Sequence, residues 1–371
     1  MKLPITDLTK QSRLIKDSLL ERIEKIIEEA SFIQGEEVEL FENKLKTFND
    51  CNHAISCGNG TDALYISLLA LDLNEDDFII CPSFSFVATA EVIPLVGAKP
   101  YFVDVDKENF NISPKNIKNA ISELKYQGKN IRGIISVDLF GLPVDYEDIS
   151  NIAKENNLFF ISDGAQSFGS KFQDKPSLSI ADISTTSFFP TKPLGCFGDG
   201  GAIFVQSDEL SDKIRSICVH GKGKNKYDNI RFGVNSRLDT IQAAVLLEKM
   251  SLFEEELILR NEVARLYNNL ISDKFVKPRF YKDKISAWAQ YTLVTSKDLD
   301  RNMVMDVLKK EGISTGIYYP NPIHSQKAYE NFPSDGCLNS KYLSSNVLSL
   351  PMNPYLTEEE IKTVTGVINS I

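Results

Sequence analysis

Short apolar runs alternate with amphipathic stretches from about residue 54 to residue 205, and this rhythm constrains the fold more than any other property of the chain. The runs Phe78-Ile79-Ile80, Tyr101-Phe102-Val103, Gly133-Ile134-Ile135-Ser136-Val137, Leu158-Phe159-Phe160-Ile161 and Ala202-Ile203-Phe204-Val205 are rich in β-branched and aromatic residues and are predicted strands. Between them, the stretches near 61–71, 86–96, 114–125 and 145–156 are predicted helices. Strands that are apolar on both faces, separated by helices, predict an α/β domain with a mainly parallel sheet covered by helices.

Outside this region, residues 12–30 carry Ile15, Leu19, Ile23 and Ile27 among charged neighbours, the spacing of a helix with one buried stripe. Residues 239–255 predict a long helix leaving the α/β domain. A strand signal at 290–294 and a helix signal at 301–311 follow, punctuated later by Pro320, Pro322, Pro351 and Pro354. The expected organisation is a large domain over 1–250, including the N-terminal helix, and a smaller C-terminal α+β domain over 251–371.

The 371 residues are 42% hydrophobic, enough for a sizeable core, and 41 Lys and Arg against 51 Asp and Glu leave a net charge of −10. That balance argues against nucleic-acid binding, which needs clustered cations. Cys51, Cys57, Cys81, Cys196, Cys218 and Cys337 form no CxxC pair and only three histidines are present, so no metal site is expected. Met1-Lys2-Leu3-Pro4 opens no signal peptide, and no run reaches the ~20 apolar residues of a membrane helix, so a cytoplasmic protein with no membrane partner is expected.

Four segments carry chemistry. Gly58-Asn59-Gly60-Thr61-Asp62 leads into a helix and can bind an anion through free amides and the helix dipole; it also fits an ordinary turn capped by Thr61 or Asp62. In Pro82-Ser83-Phe84-Ser85-Phe86 one aromatic can stack on a planar ring, or both can be core. Asp163 directly follows an apolar strand, where its carboxylate can meet a ligand or cap a helix. Lys192 lies between the aromatic run Phe188-Phe189 and the turn Gly198-Asp199-Gly200-Gly201. In a crowded apolar setting its ammonium form is disfavoured, and a neutral amine can form a Schiff base with an aldehyde. Ser187, five residues earlier, can bind the same anion as Thr61.

These segments, with Phe102-Val103-Asp104-Val105-Asp106, Asp138-Leu139-Phe140-Gly141, Asp163-Gly164-Ala165-Gln166, Gly233-Val234-Asn235-Ser236-Arg237-Leu238-Asp239 and Tyr318-Tyr319-Pro320, resemble the pyridoxal phosphate (PLP)-dependent nucleotide-sugar aminotransferases of the DegT/DnrJ group across nearly the whole chain. The resemblance implies the fold type I aminotransferase architecture. It implies that Lys192 carries PLP and then shuttles the proton between two carbon centres, that Asp163 pairs with the pyridine nitrogen and that Gln166 lies near the ring. Phe86 would stack on the ring, while Gly60, Thr61 and Ser187 would hold the phosphate. Asn235 would reach the phosphate of the neighbouring subunit's cofactor, making a homodimer with shared sites. Arg237, His324 and Tyr319 would meet the substrate, although Arg237 can also pair with Asp239 or Glu248 and His324 can be an exposed loop residue.

Asp138 and Asn353 depart from the histidines common in the family, and Pro193 from a common asparagine. Pro193 and the stretch from Lys222 to Asp239 resemble members that make UDP-linked 2-acetamido-3-amino-glucuronic acid. The expected reaction moves an amino group from glutamate to the 3-keto position of such a sugar, in lipopolysaccharide or O-antigen biosynthesis. A dTDP-3-keto-6-deoxyhexose substrate is the alternative. A PLP-dependent sugar dehydratase fits less well, because such relatives typically replace the lysine that Lys192 retains. A catalytically idle regulator would lack Lys192 or Asp163.

Overall fold

The computed structural model describes residues 2–225, 227–296 and 298–371; Lys226, within the stretch from Lys222 to Asp239 that carries part of the resemblance, lies outside the described residues. In chain order its strands are β1 (His53–Cys57), β2 (Asp77–Pro82), β3 (Lys99–Val103), β4 (Asn130–Val137), β5 (Phe159–Asp163), β6 (Lys171–Phe172), β7 (Lys175–Pro176), β8 (Ile183–Ser187), β9 (Gly201–Val205), β10 (Phe275–Val276), β11 (Lys284–Ile285), β12 (Tyr291–Thr295) and β13 (Val347–Leu350). The central sheet has seven strands in the order β1-β9-β8-β5-β4-β2-β3. Only β9 runs against its neighbours, because it returns directly from β8 instead of crossing over through a helix.

Alternating side chains serve the two faces. Ile55, Ile79, Cys81, Phe102, Ile135, Ile161 and Ile203 pack beneath the helices Gly60–Leu69, Ala88–Leu95 and Asp208–Cys218. On the other face Ile80, Tyr101, Val103, Ile134 and Phe160 meet the helices Pro114–Tyr126 and Tyr146–Glu155. Both faces are buried under helices, as the strand composition predicts.

Two strands of this sheet, β1 and β8, lie outside the predicted runs. Strand β8 reads Ile-Ser-Thr-Thr-Ser, yet every residue is buried. Its two threonines make their burial tolerable: Thr186 Oγ1 donates to the Gly164 carbonyl at 3.0 Å and Thr185 Oγ1 to the Ser162 carbonyl at 3.4 Å, while Ser184 Oγ is buried without a partner among the described residues.

The N-terminal stretch breaks at Ile15 into Thr9–Leu14 and Lys16–Glu29. Ile15, Leu19 and Ile26 are buried, Ile23 is half-buried and Ile27 is 59% exposed. Four-residue steps overshoot the 3.6-residue turn by about 40° each, so the expected stripe rotates off the contact face by Ile27.

The long helix runs Thr240–Leu270, well past residue 255, through the charged stretch Glu254-Glu255-Glu256. Its first half packs in the core with Phe41, Phe188 and Phe204. Its second half, through Val263, Ala264 and Tyr267, belongs to a separate cluster with Tyr291, Leu293, Leu348 and Ile361 around the sheet β10-β12-β13. The C-terminal region also returns to the central sheet: the Phe102 N–H donates to the Pro333 carbonyl at 3.0 Å and the Asp335 N–H to the Phe102 carbonyl at 3.0 Å. The Asp104 carboxylate accepts from the Asn339 N–H, the Ser340 N–H and the Ser340 hydroxyl at 2.6–2.8 Å, fixing the start of helix Leu338–Asn346.

Candidate active site

The chemistry-bearing segments leave the carboxyl ends of β1, β2, β5 and β8, the edge of a parallel sheet where ligands collect. After β1, Asn59 is the helix cap: its side chain accepts from the Asp62 N–H at 2.8 Å. Neither Thr61 nor Asp62 plays that part, so the expected turn capped by them is corrected. Gly60 and Thr61 occupy the first turn, where amides point out of the helix unpaired, and the Thr61 hydroxyl makes no hydrogen bond among the described residues. Gly60 lies hard against Ser187: a Cβ there would sit 2.7 Å from the Ser187 Cβ. The three expected phosphate-binding residues therefore converge from β1 and β8. Ser236 supports the turn, accepting from the Gly58 N–H at 2.9 Å and donating to Asp62 at 2.6 Å.

After β2 the two phenylalanines part. Phe84 is buried among Val105, Phe110 and Phe140. Phe86 is 53% exposed, with its ring 6.0 Å from that of Tyr319.

Asp163 ends β5 and is buried. It caps no helix, because a turn follows; Oδ1 accepts from the Ala165 N–H at 3.1 Å and Oδ2 from the Thr89 hydroxyl at 2.7 Å. The Thr89 hydroxyl also lies 3.0 Å from that of Ser85. Burial raises the Asp163 carboxyl above the ordinary range, against those hydrogen bonds and the nearby Lys192 charge. Lys192 lies on the loop from β8 to β9, its N–H bonded to the Phe189 carbonyl at 2.9 Å. Desolvation presses its amine below the usual lysine range, opposed by Asp163. A carboxylate and an amine, each pushed toward neutrality by burial and each feeling the other's charge, thus share the sheet edge.

Gln166 bridges two elements: its amide nitrogen donates to the Tyr319 hydroxyl at 3.0 Å, and its oxygen accepts from the Phe140 N–H at 2.6 Å. His324 is no exposed loop residue. It is half-buried with Nδ1 2.6 Å from the Ser83 hydroxyl, and its Nε2 is buried without a partner. Desolvation lowers its pKa. Arg237 pairs with neither Asp239 nor Glu248. Its Nη2 donates to the exposed Asn235 Oδ1 at 2.6 Å, while Glu248 is taken by Arg22 at 2.8 Å. Asp138 accepts from the Val144 N–H, the Tyr146 hydroxyl and the Ser167 hydroxyl at 2.8–2.9 Å. It is wholly buried and braces the loop instead of facing a substrate. Asn353 is likewise turned inward, accepting from the Tyr355 N–H at 2.9 Å.

Thr89 and Asn59 are the residues of this site that sequence reasoning missed. Asn59 carried a signal, the three-residue offset of a cap from Asp62. Thr89 carried none, since its role depends on how β2 and β5 lie side by side. A groove of about 1300 Å³ between the helix Glu36–Asn49 and the long helix, lined by Phe48, Leu257 and Ile258, contains none of these residues. Among the described residues no cluster of His, Cys, Asp and Glu could hold a metal, and no helix is long and apolar enough to cross a membrane. All six cysteines are free thiols.

Residues 13–369 match the model of the DegT/DnrJ/EryC1/StrS aminotransferase family. The chain is 40% identical over 365 residues to the UDP-2-acetamido-2-deoxy-3-oxo-D-glucuronate aminotransferase of Pseudomonas aeruginosa, covering 98% of this chain and 99% of that one. It superposes on the crystal structure of a DegT DnrJ EryC1 StrS aminotransferase from Brucella abortus with a TM-score of 0.97 at 43% identity, covering 100% and 99% of the two chains. It also matches NtdA of Bacillus subtilis, solved with bound cofactor PMP, with a TM-score of 0.84 at 30% identity, covering 94% and 81%.

Proposed function

The chain belongs to the DegT/DnrJ/EryC1/StrS aminotransferase family and is an aminotransferase, and we propose that it moves an amino group from glutamate to the 3-keto carbon of a UDP-linked 2-acetamido-glucuronic acid derivative with PLP as cofactor. The observation that carries the cofactor reading is the meeting of Gly60 and Ser187, at the same sheet edge as the buried Asp163 and the half-buried, desolvated Lys192. The substrate reading rests on the 40% identity to the Pseudomonas enzyme and on Pro193 beside the lysine.

The residues present fit PLP. Unpaired amides at the start of a helix, a free Thr61 hydroxyl and the Ser187 hydroxyl suit a phosphate. Gly60 admits its close approach, since any side chain would collide with Ser187. Bound there, PLP supplies an aldehyde for amine exchange and a protonated pyridine ring as electron sink.

Asp163, oriented by Thr89 and the Ala165 N–H, would pair with the ring nitrogen, and a protonated ring there would in turn favour the carboxylate form that burial alone disfavours. Phe86, with its ring beside that of Tyr319, would stack on the cofactor ring, and Gln166, which donates to the Tyr319 hydroxyl, would lie near it. Lys192, held below its ordinary basicity, has an amine free to accept a proton at Nζ and return it to the neighbouring carbon. The same group therefore serves both half-reactions. Arg237, Tyr319 and His324 are the proposed substrate contacts.

The site is proposed to be completed by a second copy of the chain. Phe86, Phe189, Phe197, Ile230 and Phe232 are exposed apolar residues around the site and the 221–235 segment, an excess that supports a covered face, and Asn235 stands exposed beside them.

Borohydride reduction of the holoenzyme and peptide mass spectrometry should find the cofactor on Lys192. With glutamate and a 3-keto UDP-sugar, the product should gain an amine. Intact transamination in Lys192→Ala overturns the reading, and loss of water from the sugar selects the dehydratase instead.

A further inference from the structure

The loop bearing Lys192 has no regular secondary structure, yet it must hold an amine in place through two half-reactions. Internally it is closed by three bonds: the Phe188 N–H to the Gly200 carbonyl at 2.7 Å, the Cys196 N–H to the Phe188 carbonyl at 2.8 Å, and the Lys192 N–H to the Phe189 carbonyl at 2.9 Å. Externally, two side chains of the long helix grip it. The Phe197 N–H donates to Gln242 Oε1 at 2.8 Å, and Lys249 Nζ donates to the Gly195 carbonyl at 2.6 Å. Gln242 and Lys249 are seven residues apart, so they lie on one face of that helix. Lys249 Nζ also lies 4.8 Å from the centre of the Phe197 ring.

We propose that Gln242 and Lys249 form a two-point clamp on the Lys192 loop, with Lys249 a positioning residue for the transamination. The inference rests on the reading of Lys192 as the cofactor-bearing amine.

Three features carry it. First, Lys249 is only 1% exposed, on a stretch of the helix whose Leu246, Leu247 and Phe253 belong to one apolar core with Phe188 and Leu194. A methionine would fill that space without removing an ammonium from water, so packing alone gives no reason for a lysine there. The cost is visible in its pKa, pushed by burial down to about 8 against the attraction of Glu256 and Cys196. Second, Gly195 has no room to move independently of the lysine-bearing turn. A Cβ on it would lie 2.5 Å from the Pro190 carbonyl and 2.7 Å from the Phe189 carbonyl. A displacement of Gly195 therefore reaches Pro190, two residues before Lys192. Third, the clamp sits on a rigid support, since the helix is anchored in both cores.

Hydrogen–deuterium exchange on the full-length holoenzyme tests the clamp directly. In Lys249→Met and in Gln242→Ala, amides of 188–200 should exchange about tenfold faster than in the parent, while β2 stays unchanged. Lys249→Arg, which keeps a cation within reach of Gly195, should restore most of the protection. In Lys249→Met, kcat should fall about tenfold or more with the KM for glutamate within about threefold, the signature of a misplaced catalytic group. Parent-like exchange over 188–200 in both variants overturns the proposal, even if melting temperature drops. Should Lys249→Met not fold, Gln242→Ala and Lys249→Arg decide it by the same exchange measurement. If borohydride finds no adduct on Lys192 in the parent, the functional reading fails, while the exchange comparison still judges the clamp.

Discussion

At the scale of single residues, environment decides what a carboxylate does. Asp163 and Asp138 are both buried and both accept two or more hydrogen bonds, but only Asp163 has an amine for company. Asp163→Asn keeps the size and removes the charge. The rate of amine transfer in single-turnover assays is expected to fall about a hundredfold or more, with the cofactor still bound. Asp138 makes a different prediction. Burial raises its pKa to about 6 in the folded protein, above the value of about 4 for an unfolded chain. Between those values the native state keeps a proton that the unfolded chain has released. Stability therefore falls as pH rises through that window, by roughly 3 kcal/mol in all from this group. Asp138→Asn lacks that slope, so its melting temperature should gain on the parent's between about pH 4 and pH 6. A constant difference between the two proteins across the window contradicts this. Lys192, Asp163, Thr61 and Ser187 are legible in the sequence as candidates, because the chemistry proposed for them is written in residue type and order. Thr89 and Lys249 are not, because a threonine beside a carboxylate and a lysine under a loop take their meaning from elements that meet only in space.

At the scale of elements, the start of the helix at Gly60 has a structural part and a proposed phosphate-binding part, and the two can be separated. Asn59→Ala removes the cap and should cost about 1 kcal/mol of stability, seen in denaturant melts. Gly60→Ala forces a methyl into Ser187 and should weaken PLP binding about tenfold or more in absorbance titrations. The strands of the central sheet were legible where both faces are apolar. Strand β8 escapes because it buries polar residues, two of them threonines bonded to neighbouring carbonyls, a pattern indistinguishable in sequence from a polar loop. The long helix was legible at its start but not at its end. Glu256 and Arg260 are buried charges on its inner face, so an apolar stripe cannot mark where the helix stops.

At the scale of the whole molecule, the proposal that Asn235 serves the partner's site has a decisive form. In a symmetric dimer with shared sites, mixing Lys192→Ala chains with Asn235→Ala chains leaves each mixed dimer with one site free of both changes. Random exchange of subunits should then restore about a quarter of the parent activity from two inactive parents. If Asn235 works in its own chain's site, mixing restores nothing. The sheet order has a further consequence, for the order in which the chain can be assembled as it is made. Strand β1 spans residues 53–57, but its only neighbour in the sheet is β9, at 201–205. The apolar face of β1 therefore waits while about 150 residues are synthesised, on the order of 10–30 s at ordinary elongation rates. The helix between Glu36 and Asn49, which packs directly on β1, is available throughout that interval as a temporary cover. The last strand to join the sheet is also the one that closes the loop around Lys192, so the proposed attachment point for the cofactor comes into being only when the sheet is finished.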